Sequence, residues 1–264
     1  MLDALLFDRG RVVQQDCNRK LFVNQSKNGI VDKNKKERHV RLARRGRRLA
    51  RFMKNIYVVV SKTQTKFGKV IRTVAKQNYN HAAISLDKEF TKLYAFARPS
   101  HYSVLLARLV QENAFRYTLG KNKYVPVAVF EVPVSDEEYE WIKSTIAKIS
   151  RDSHYIYNYM SIVTYPLLRG IKQRKAFTCV EFVAYLLQHA GYLKTKGRQK
   201  WKPDELYEEL AEHMIYEGDI RDFVEVNDAY KAEYFKPMTP KLIAESAGVI
   251  CLVAFRFLFG EFFL

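Results

Sequence analysis

One cysteine of this 264-residue chain stands at the start of a predicted helix, within Lys175–Gly191. The preceding Thr178 and the following Glu181 fit a capping box, in which each side chain satisfies the other residue's backbone amide. Cys179 is then the first helical residue, among free N–H groups and at the positive end of the helix dipole. Such a position favours the thiolate, which is the nucleophilic form of cysteine, and the same N–H groups can receive an oxyanion.

The same cysteine also lies on an apolar stripe of the predicted helix, formed with Phe182, Val183, Leu186 and Ala190. A cysteine on such a stripe is more commonly a core residue than a nucleophile. The helix alone therefore favours the interpretation of Cys179 as a core residue over that of a nucleophile. A catalytic thiol also needs a base within reach.

The stretch Tyr79–Asp87 supplies a candidate base, His81, at the start of a predicted strand. Ala83 and Ser85 lie on the same face of that strand and leave room around the imidazole. A lone histidine at a strand edge is more often structural than catalytic, so a structural role for His81 is the alternative. The remaining histidines fit a catalytic role less well because they lie in a basic segment, in a turn, or by helices: His39, His101, His154, His189 and His213.

The chain resembles one known family in the order of three segments, 80–87, 93–98 and 177–187. The family is the circularly permuted NlpC-type papain-like cysteine hydrolases and acyltransferases, related to the lecithin:retinol acyltransferase group. Its members place a His-bearing strand before the Cys-bearing helix, and the resemblance covers about Ile56 to Phe223. It implies Cys179 as nucleophile and His81 as base. It also implies an α+β fold in which a small antiparallel sheet packs against the Cys-bearing helix and further helices.

A third polar residue normally orients the histidine in this family, often from the next strand. The predicted next strand, Leu93–Ala97, contains no Asn, Asp, Glu or His. Three residues nearby or later in the chain are therefore candidates for this role: Glu112, Tyr94 and Arg98. The implied reaction is attack on an amide or ester bond, in a lipid or a peptide, through an acyl-enzyme that needs no metal or organic cofactor.

The elements that must position these residues follow from hydropathy and capping signals. Strands and helices alternate irregularly along the chain, which favours an α+β fold over a βαβ fold. The predicted strands are Ile56–Val60, a hairpin of His81–Leu86 with Lys92–Ala97, Tyr124–Val132 and a last strand near Asp222–Val226. The predicted helices besides the Cys179 helix are Lys66–Gln77, one capped at Ser135 that runs to about Ser150, and one opened by Pro203.

The charge of the chain is +17, and residues 32–54 hold eleven Lys or Arg against two acidic residues. This segment contributes +9 and predicts a basic amphipathic helix that binds nucleic acid or an anionic membrane surface. A second hypothesis is therefore a noncatalytic polyanion- or membrane-binding protein that uses residues 33–54. A solvated basic helix or tail is the alternative for this segment, and the chain contains no named nucleic-acid-binding module.

The three cysteines, Cys17, Cys179 and Cys251, are far apart and form no CxxC motif. This spacing argues against a disulfide framework and against a cysteine-based zinc site. Charged residues interrupt the N-terminus, so we expect no signal peptide and a cytoplasmic protein, peripheral at the membrane if residues 33–54 bind lipid.

The predicted organisation has three parts: a basic N-terminal extension, 1–54, a catalytic domain, 55–235, and an apolar C-terminal tail, 236–264. The most apolar stretch of the tail, 248–264, is shorter than the roughly 20 residues of a spanning helix. Arg256 and Glu261 also interrupt it. We therefore expect the tail to pack against the protein and not to cross a bilayer.

Overall fold

A six-stranded sheet forms the centre of the fold in the computed structural model, with the strand order β4-β3-β2-β1-β5-β8. The structure describes residues 53–63, 77–103, 106–119, 124–168, 170–227 and 229–258. The strands of this sheet are β1 (Met53–Ser61), β2 (His81–Ser85), β3 (Leu93–Ala97), β4 (Arg108–Glu112), β5 (Pro126–Ser135) and β8 (Met214–Asp219). The pairs β1–β2, β2–β3, β3–β4 and β5–β8 are antiparallel. A separate parallel pair joins β6 (Ile156–Tyr157) to β7 (Ala176–Phe177).

The helices lie mainly in the second half of the described chain. They are α1 (Asp136–Arg151), α2 (Tyr159–Leu168), α3 (Cys179–His189), α4 (Pro203–Glu209), α5 (Ile220–Phe223), α6 (Tyr230–Tyr234) and α7 (Pro240–Leu258). Short 3₁₀ turns occur at Ala114–Thr118, Arg198–Lys200 and Ala211–His213. The combination of a mainly antiparallel sheet with helices confirms the α+β class.

The two faces of the sheet bury different cores because side chains alternate along each strand. In β1, Val58 and Val60 belong to a cluster that includes the apolar side of α3. Tyr57 and Val59 belong to a second cluster on the other face, together with Tyr117 of the Ala114–Thr118 turn. The helix that carries Cys179 is thus held against one face of the sheet that contains β2, the strand of His81.

Most of the predicted elements are present in the structure. The hairpin of β2 and β3, the buried strand β1 and the strand β5 all lie where the sequence placed them. The predicted capping box at Ser135 opens α1, and Gly191 follows α3 with a φ of +87°, a left-handed conformation that ends the helix. All of the predicted helix Lys66–Gln77 except its last residue lies outside the described residues.

The predicted strand near Asp222–Val226 is wrong. The last strand of the sheet is β8, which ends at Asp219 and pairs with β5. The Asp219 side chain accepts a hydrogen bond from the Arg221 amide at 3.1 Å and so caps the short helix α5. The apolar residues that follow this N-cap residue therefore begin a helix and not a strand.

The structure describes part of the basic N-terminal segment and part of the apolar C-terminal tail. Met53 and Lys54 begin β1, and the remainder of the basic segment lies outside the described residues. The tail begins as α7, whose Val249 packs with Leu106, Ile156 and Ala176. Within the ranges given above, no helix combines the length and apolarity needed to cross a membrane.

Candidate active site

The capping box predicted at the start of α3 is present in both directions. The Glu181 amide donates to Oγ1 of Thr178 at 3.1 Å, and the Thr178 amide donates to Oε2 of Glu181 at 3.1 Å. Cys179 is therefore the first residue of the helix, where the backbone amides have no intrahelical acceptor. Its side chain is buried, with 5% of the residue exposed.

The buried carboxylate of Glu181 holds the start of α3 in place. Glu181 is almost fully buried, and Nδ2 of Asn158 donates to both of its carboxylate oxygens at 3.1 Å. Asn158 also donates to the carbonyl of Ile171 at 2.8 Å. Burial raises the pKa of Glu181, and the hydrogen bonds from Asn158 and Thr178 act against that rise. The helix N-terminus is thereby tied to the segment that precedes α2.

The imidazole of His81 and the backbone amides of Ala82 and Val180 lie close enough to the Cys179 thiol to influence its pKa. The helix reaches this position because α3 packs across β2 and β3, with Phe182 against Phe96 at a ring separation of 5.4 Å. Burial alone would raise the pKa of the thiol, but the hydrogen bond and charge of His81, with the two amides, lower it. The sequence-predicted pair of Cys179 and His81 is therefore brought together.

Of the three candidates for the residue that orients the histidine, Glu112 is the one that lies beside His81. Its Oε2 lies 2.8 Å from Nε2 of His81 and accepts a hydrogen bond from the Tyr117 hydroxyl at 2.8 Å. Its Oε1 lies 3.6 Å from Nη1 of Arg116. Burial opposes ionisation of this carboxyl, but the charges of His81 and Arg116 outweigh it and lower the pKa of Glu112 to about 2.

The imidazole of His81 is held in the protonated form by the groups on either side. Burial favours the neutral ring, but the charge of Glu112 and the hydrogen bond and charge of Cys179 raise the pKa of His81 to about 10. Because Nε2 is occupied by Glu112, Nδ1 is the nitrogen left for the sulfur. About 13% of the His81 side chain is exposed.

The other two candidates do not reach the histidine. Arg98 donates from Nη1 to the carbonyl of His101 at 3.1 Å, and Tyr94 packs beside the core cluster that contains α3. Neither makes a hydrogen bond to His81 among the described residues. Glu112 reaches His81 because it is the last residue of β4 and lies on the sheet face that also carries the His81 side chain.

Sequence reasoning missed the residues that surround Glu112. The 3₁₀ turn Ala114–Thr118 follows β4 and is capped by Asn113, whose Oδ1 accepts from the Phe115 amide at 2.9 Å. This turn returns Tyr117 and Arg116 to the carboxylate. An Asn directly after a strand is a turn signal, and it could have predicted such a reversal.

Tyr157 is a second residue that sequence reasoning did not assign. Its phenol is buried close to Cys179, and burial with the thiolate charge raises the pKa of Tyr157 well above the ordinary value. The parallel pairing of Tyr157 with Phe177 places it beside the residues that lead into α3. The tyrosine-rich stretch Tyr155–Tyr159 was the signal for it in the sequence.

The chain matches no protein-family model, no curated protein and no solved structure. In the described part of the chain, no group of three or more His, Cys, Asp or Glu side chains is arranged to hold a metal ion. Cys179 and Cys251 are both free thiols, the first buried and the second exposed. The geometry around Cys179 is therefore the basis for assigning a function to this chain.

Proposed function

We propose that this protein is a cysteine-dependent hydrolase or acyltransferase that acts on an amide or ester bond. The observation that carries the proposal is the continuous buried chain from the Cys179 thiol through His81 to the Glu112 carboxylate. A nucleophile, a base beside it and a carboxylate that orients the base are the three parts of an activated nucleophile.

In the first step, the Cys179 thiolate attacks the carbonyl carbon and forms a carbon–sulfur bond, while the carbonyl π electrons move to oxygen. The tetrahedral oxyanion would be bound by backbone amides at the start of α3 and by the Tyr157 hydroxyl. The intermediate then collapses and expels the amine or alcohol, which takes its proton from the His81 imidazolium. In the second step, His81 removes a proton from water or from another acceptor, which attacks the thioester and restores the thiolate.

The order of elements supports a permuted papain-like arrangement as part of this proposal. The strand that carries the histidine, β2, precedes the helix that carries the cysteine, α3, and the helix packs on that strand. The third residue comes from β4, one strand beyond the expected position.

A reactive ester gives a direct test. We expect p-nitrophenyl butyrate to release a burst of about one p-nitrophenolate per chain, with a butyryl group on Cys179 that intact-mass and peptide analysis can locate. Cys179→Ser and His81→Ala should abolish the burst. Cys251→Ser is the matched control, because it removes an exposed free thiol outside the Cys179 site.

The outcome that would contradict the proposal is equally specific. Acylation that is lost in Cys251→Ser but kept in Cys179→Ser would show an ordinary surface thiol reaction. No acylation of a folded wild-type chain by any of a short series of alkyl and peptidyl esters would leave Cys179 as a core residue.

A further inference from the structure

Arg98 lies at the end of the sheet that carries the candidate active site. It directly follows β3, and because β3 runs antiparallel to β2, the end of β3 is at the same end of the sheet as His81. A residue before a proline favours an extended backbone, so the alternation of β3 continues through Arg98 to Pro99. This alternation assigns Arg98 to the face of Phe96, whose ring lies 5.4 Å from that of Phe182 in α3.

Contacts of its backbone and of its side chain tie Arg98 to this site. Nη2 of Arg116 donates to the carbonyl of Arg98, and Nη1 of the same guanidinium lies 3.6 Å from Oε1 of Glu112. Burial raises the pKa of Tyr159 to about 12, and the nearby charge of Arg98 acts against that rise. The ring of Tyr159 lies 5.0 Å from that of Tyr157, which is beside the thiol. The charge of Arg98 is therefore part of the surroundings of the thiol.

This charge has no carboxylate partner among the described residues. Nη1 of Arg98 donates to the carbonyl of His101 at 3.1 Å, which is a neutral acceptor. Arg116, by contrast, forms an ion pair with Glu112. A half-buried guanidinium without a counter-charge attracts an anion, and its planar fork of donors matches the two oxygens of a carboxylate.

A purely structural role for Arg98 accounts for little of this arrangement. The turn that follows β3 is held by other bonds, since the His101 amide donates to the carbonyl of Tyr234 at 2.9 Å. The Ser103 hydroxyl also donates to the carbonyl of Ser100 at 2.8 Å. The bond from Arg98 to the turn uses one N–H donor of the guanidinium, and within the described chain it leaves the other donors for a ligand.

We propose that Arg98 binds a carboxylate of the substrate, so that the site takes amides or esters that carry an anionic group near the scissile carbonyl. The inference rests on the proposed function, because it names the kind of substrate that the same site accepts. The carboxylate belongs either to the acyl group or to the leaving group, and both place an anion beside the thiol. Arg98 then determines substrate specificity and takes no part in the bond-making steps.

Two alkylating reagents that differ only in charge test the anion site without any turnover. N-iodoacetylglycine carries a carboxylate, and N-iodoacetylglycinamide carries a neutral amide in its place. Relative to the exposed Cys251, we expect Cys179 to favour the carboxylate reagent by roughly tenfold to hundredfold, which is the contribution of a charged hydrogen bond. Arg98→Gln should bring the ratio at Cys179 down to that at Cys251, and Arg98→Lys should retain part of it.

Arg108→Gln is the matched control for the loss of one positive charge. Arg108 lies on β4 and is paired with Glu245 at 3.0 Å, so its removal should leave the ratio at Cys179 at the wild-type value. Urea unfolding of each variant separates a loss of the fold from a loss of anion binding. The wild-type ratio is itself a test that needs no variant, and it should fall as salt is added, because the charge of a half-buried Arg98 is partly screened.

Matched esters extend the test to the proposed reaction. Mono-p-nitrophenyl adipate and p-nitrophenyl adipamate place the charge or its neutral replacement on the acyl group. Carboxy-substituted p-nitrophenyl butyrate and p-nitrophenyl butyrate do the same on the leaving group. We expect one of the two pairs to show a preference for the carboxylate in kcat/KM, mainly through KM, that Arg98→Gln removes. That pair identifies the side of the scissile bond that Arg98 contacts.

Equal reactivity of wild-type Cys179 with the two alkylating reagents, relative to Cys251, would overturn the inference, and so would a preference that Arg98→Gln retains. Acylation of Cys179 at equal rates by both members of each ester pair would contradict the inference and leave the proposed function in place. An Arg98-dependent preference in alkylation without acylation by any of the esters would have the opposite meaning, since the anion site would stand and the proposed function would fail.

Discussion

The Glu112 carboxylate reaches the His81 imidazole from two strands away, with 2.8 Å between Oε2 and Nε2. Both side chains are largely buried, and the Tyr117 hydroxyl donates to the same carboxylate oxygen. A buried pair of this kind is costly to break by removing one member, because the other charge then stays buried without compensation. The pair therefore links the reactivity of Cys179 to the charge state of a residue on β4.

His81→Ala should make Cys179 a weaker acid. The charge and hydrogen bond of His81 lower the pKa of the thiol, and an opposite charge at contact distance shifts a pKa by about 1–3 units. We expect the midpoint of iodoacetamide labelling of Cys179 to move to higher pH by that amount. Mass-resolved alkylation of each cysteine across pH measures this, and the profile of the exposed Cys251 should not change. An unchanged Cys179 profile would exclude the thiolate–imidazolium pair.

Thr178→Ala should reduce both the stability of the chain and the reactivity of Cys179. It removes the N-cap of α3, which costs about 1 kcal/mol of stability, and it frees the helix start that orients the sulfur. The control is Ser135→Ala, because Ser135 and Glu138 form the same capping box on α1. Ser135→Ala should lower the urea midpoint similarly but leave the labelling rate of Cys179 alone. Equal labelling rates in both variants would mean that the cap has no role in positioning the thiol.

Local signals in the sequence predicted where Cys179 and His81 lie in the secondary structure. A Thr followed three residues later by Glu specifies a helix start through hydrogen bonds between neighbours, so the position of Cys179 needed no tertiary information. The hairpin that carries His81 followed in the same way from two apolar runs with a loop between them. Both signals act over a few residues of sequence.

The partners that lie far away in sequence were harder to predict. Glu112 is one of many acidic residues, and only the strand order and the reversal after Asn113 bring it to His81. Tyr157 is positioned by the parallel pairing of β6 with β7. Each of these strands has only two residues, which is too few to leave a recognisable pattern in the sequence. The strand expected near Asp222–Val226 was wrong for a local reason. The Asp219 side chain caps a short helix there, although the run is apolar.

Tyr157→Phe should impair acylation more than it impairs folding. The substitution removes only the hydroxyl, which lies close to Cys179 and, in the proposed mechanism, donates to the oxyanion. Loss of one such donor lowers the rate by about 100-fold in other enzymes. Stopped-flow measurement of the p-nitrophenolate burst tests this against Tyr155→Phe, whose ring stacks on Phe177 in the same segment. A burst rate in Tyr157→Phe equal to that of Tyr155→Phe would remove Tyr157 from the mechanism.

Deletion of residues 1–51 should remove most of the salt-dependent affinity for polyanions. Residues 33–54 hold eleven Lys or Arg, and β1 begins at Met53, so the deletion spares the sheet. A segment that contacts six or more phosphates loses about 10³-fold in affinity between about 50 and 200 mM salt. Fluorescence anisotropy with a labelled single-stranded oligonucleotide measures this, and the truncated chain should lose that slope. A slope that survives the deletion would place the polyanion site in the remaining chain.

The last prediction concerns the pH dependence of stability. The pKa of Glu112 in the folded chain, about 2, is below its ordinary 4.5, so its contribution is present above pH 4.5 and is lost as pH falls through about 2. The pKa of His81, about 10, is above its ordinary 6.5, so its contribution is complete below pH 6.5 and is lost as pH rises through about 10. The pair therefore stabilises the fold most between about pH 4.5 and 6.5.

Glu112→Gln removes the charge and keeps the shape, so it isolates this contribution. We expect the variant to lose about 3 kcal/mol of unfolding free energy relative to wild type inside that pH window, because His81 is left as a buried cation or must become neutral. The loss should shrink as pH rises towards 10, where the wild-type imidazole also becomes neutral. Urea unfolding followed by tryptophan fluorescence across pH gives both curves, with Glu245→Gln as a control on the half-exposed pair with Arg108. A loss that does not vary with pH would mean that Glu112 acts only through packing and hydrogen bonds, and not through its charge.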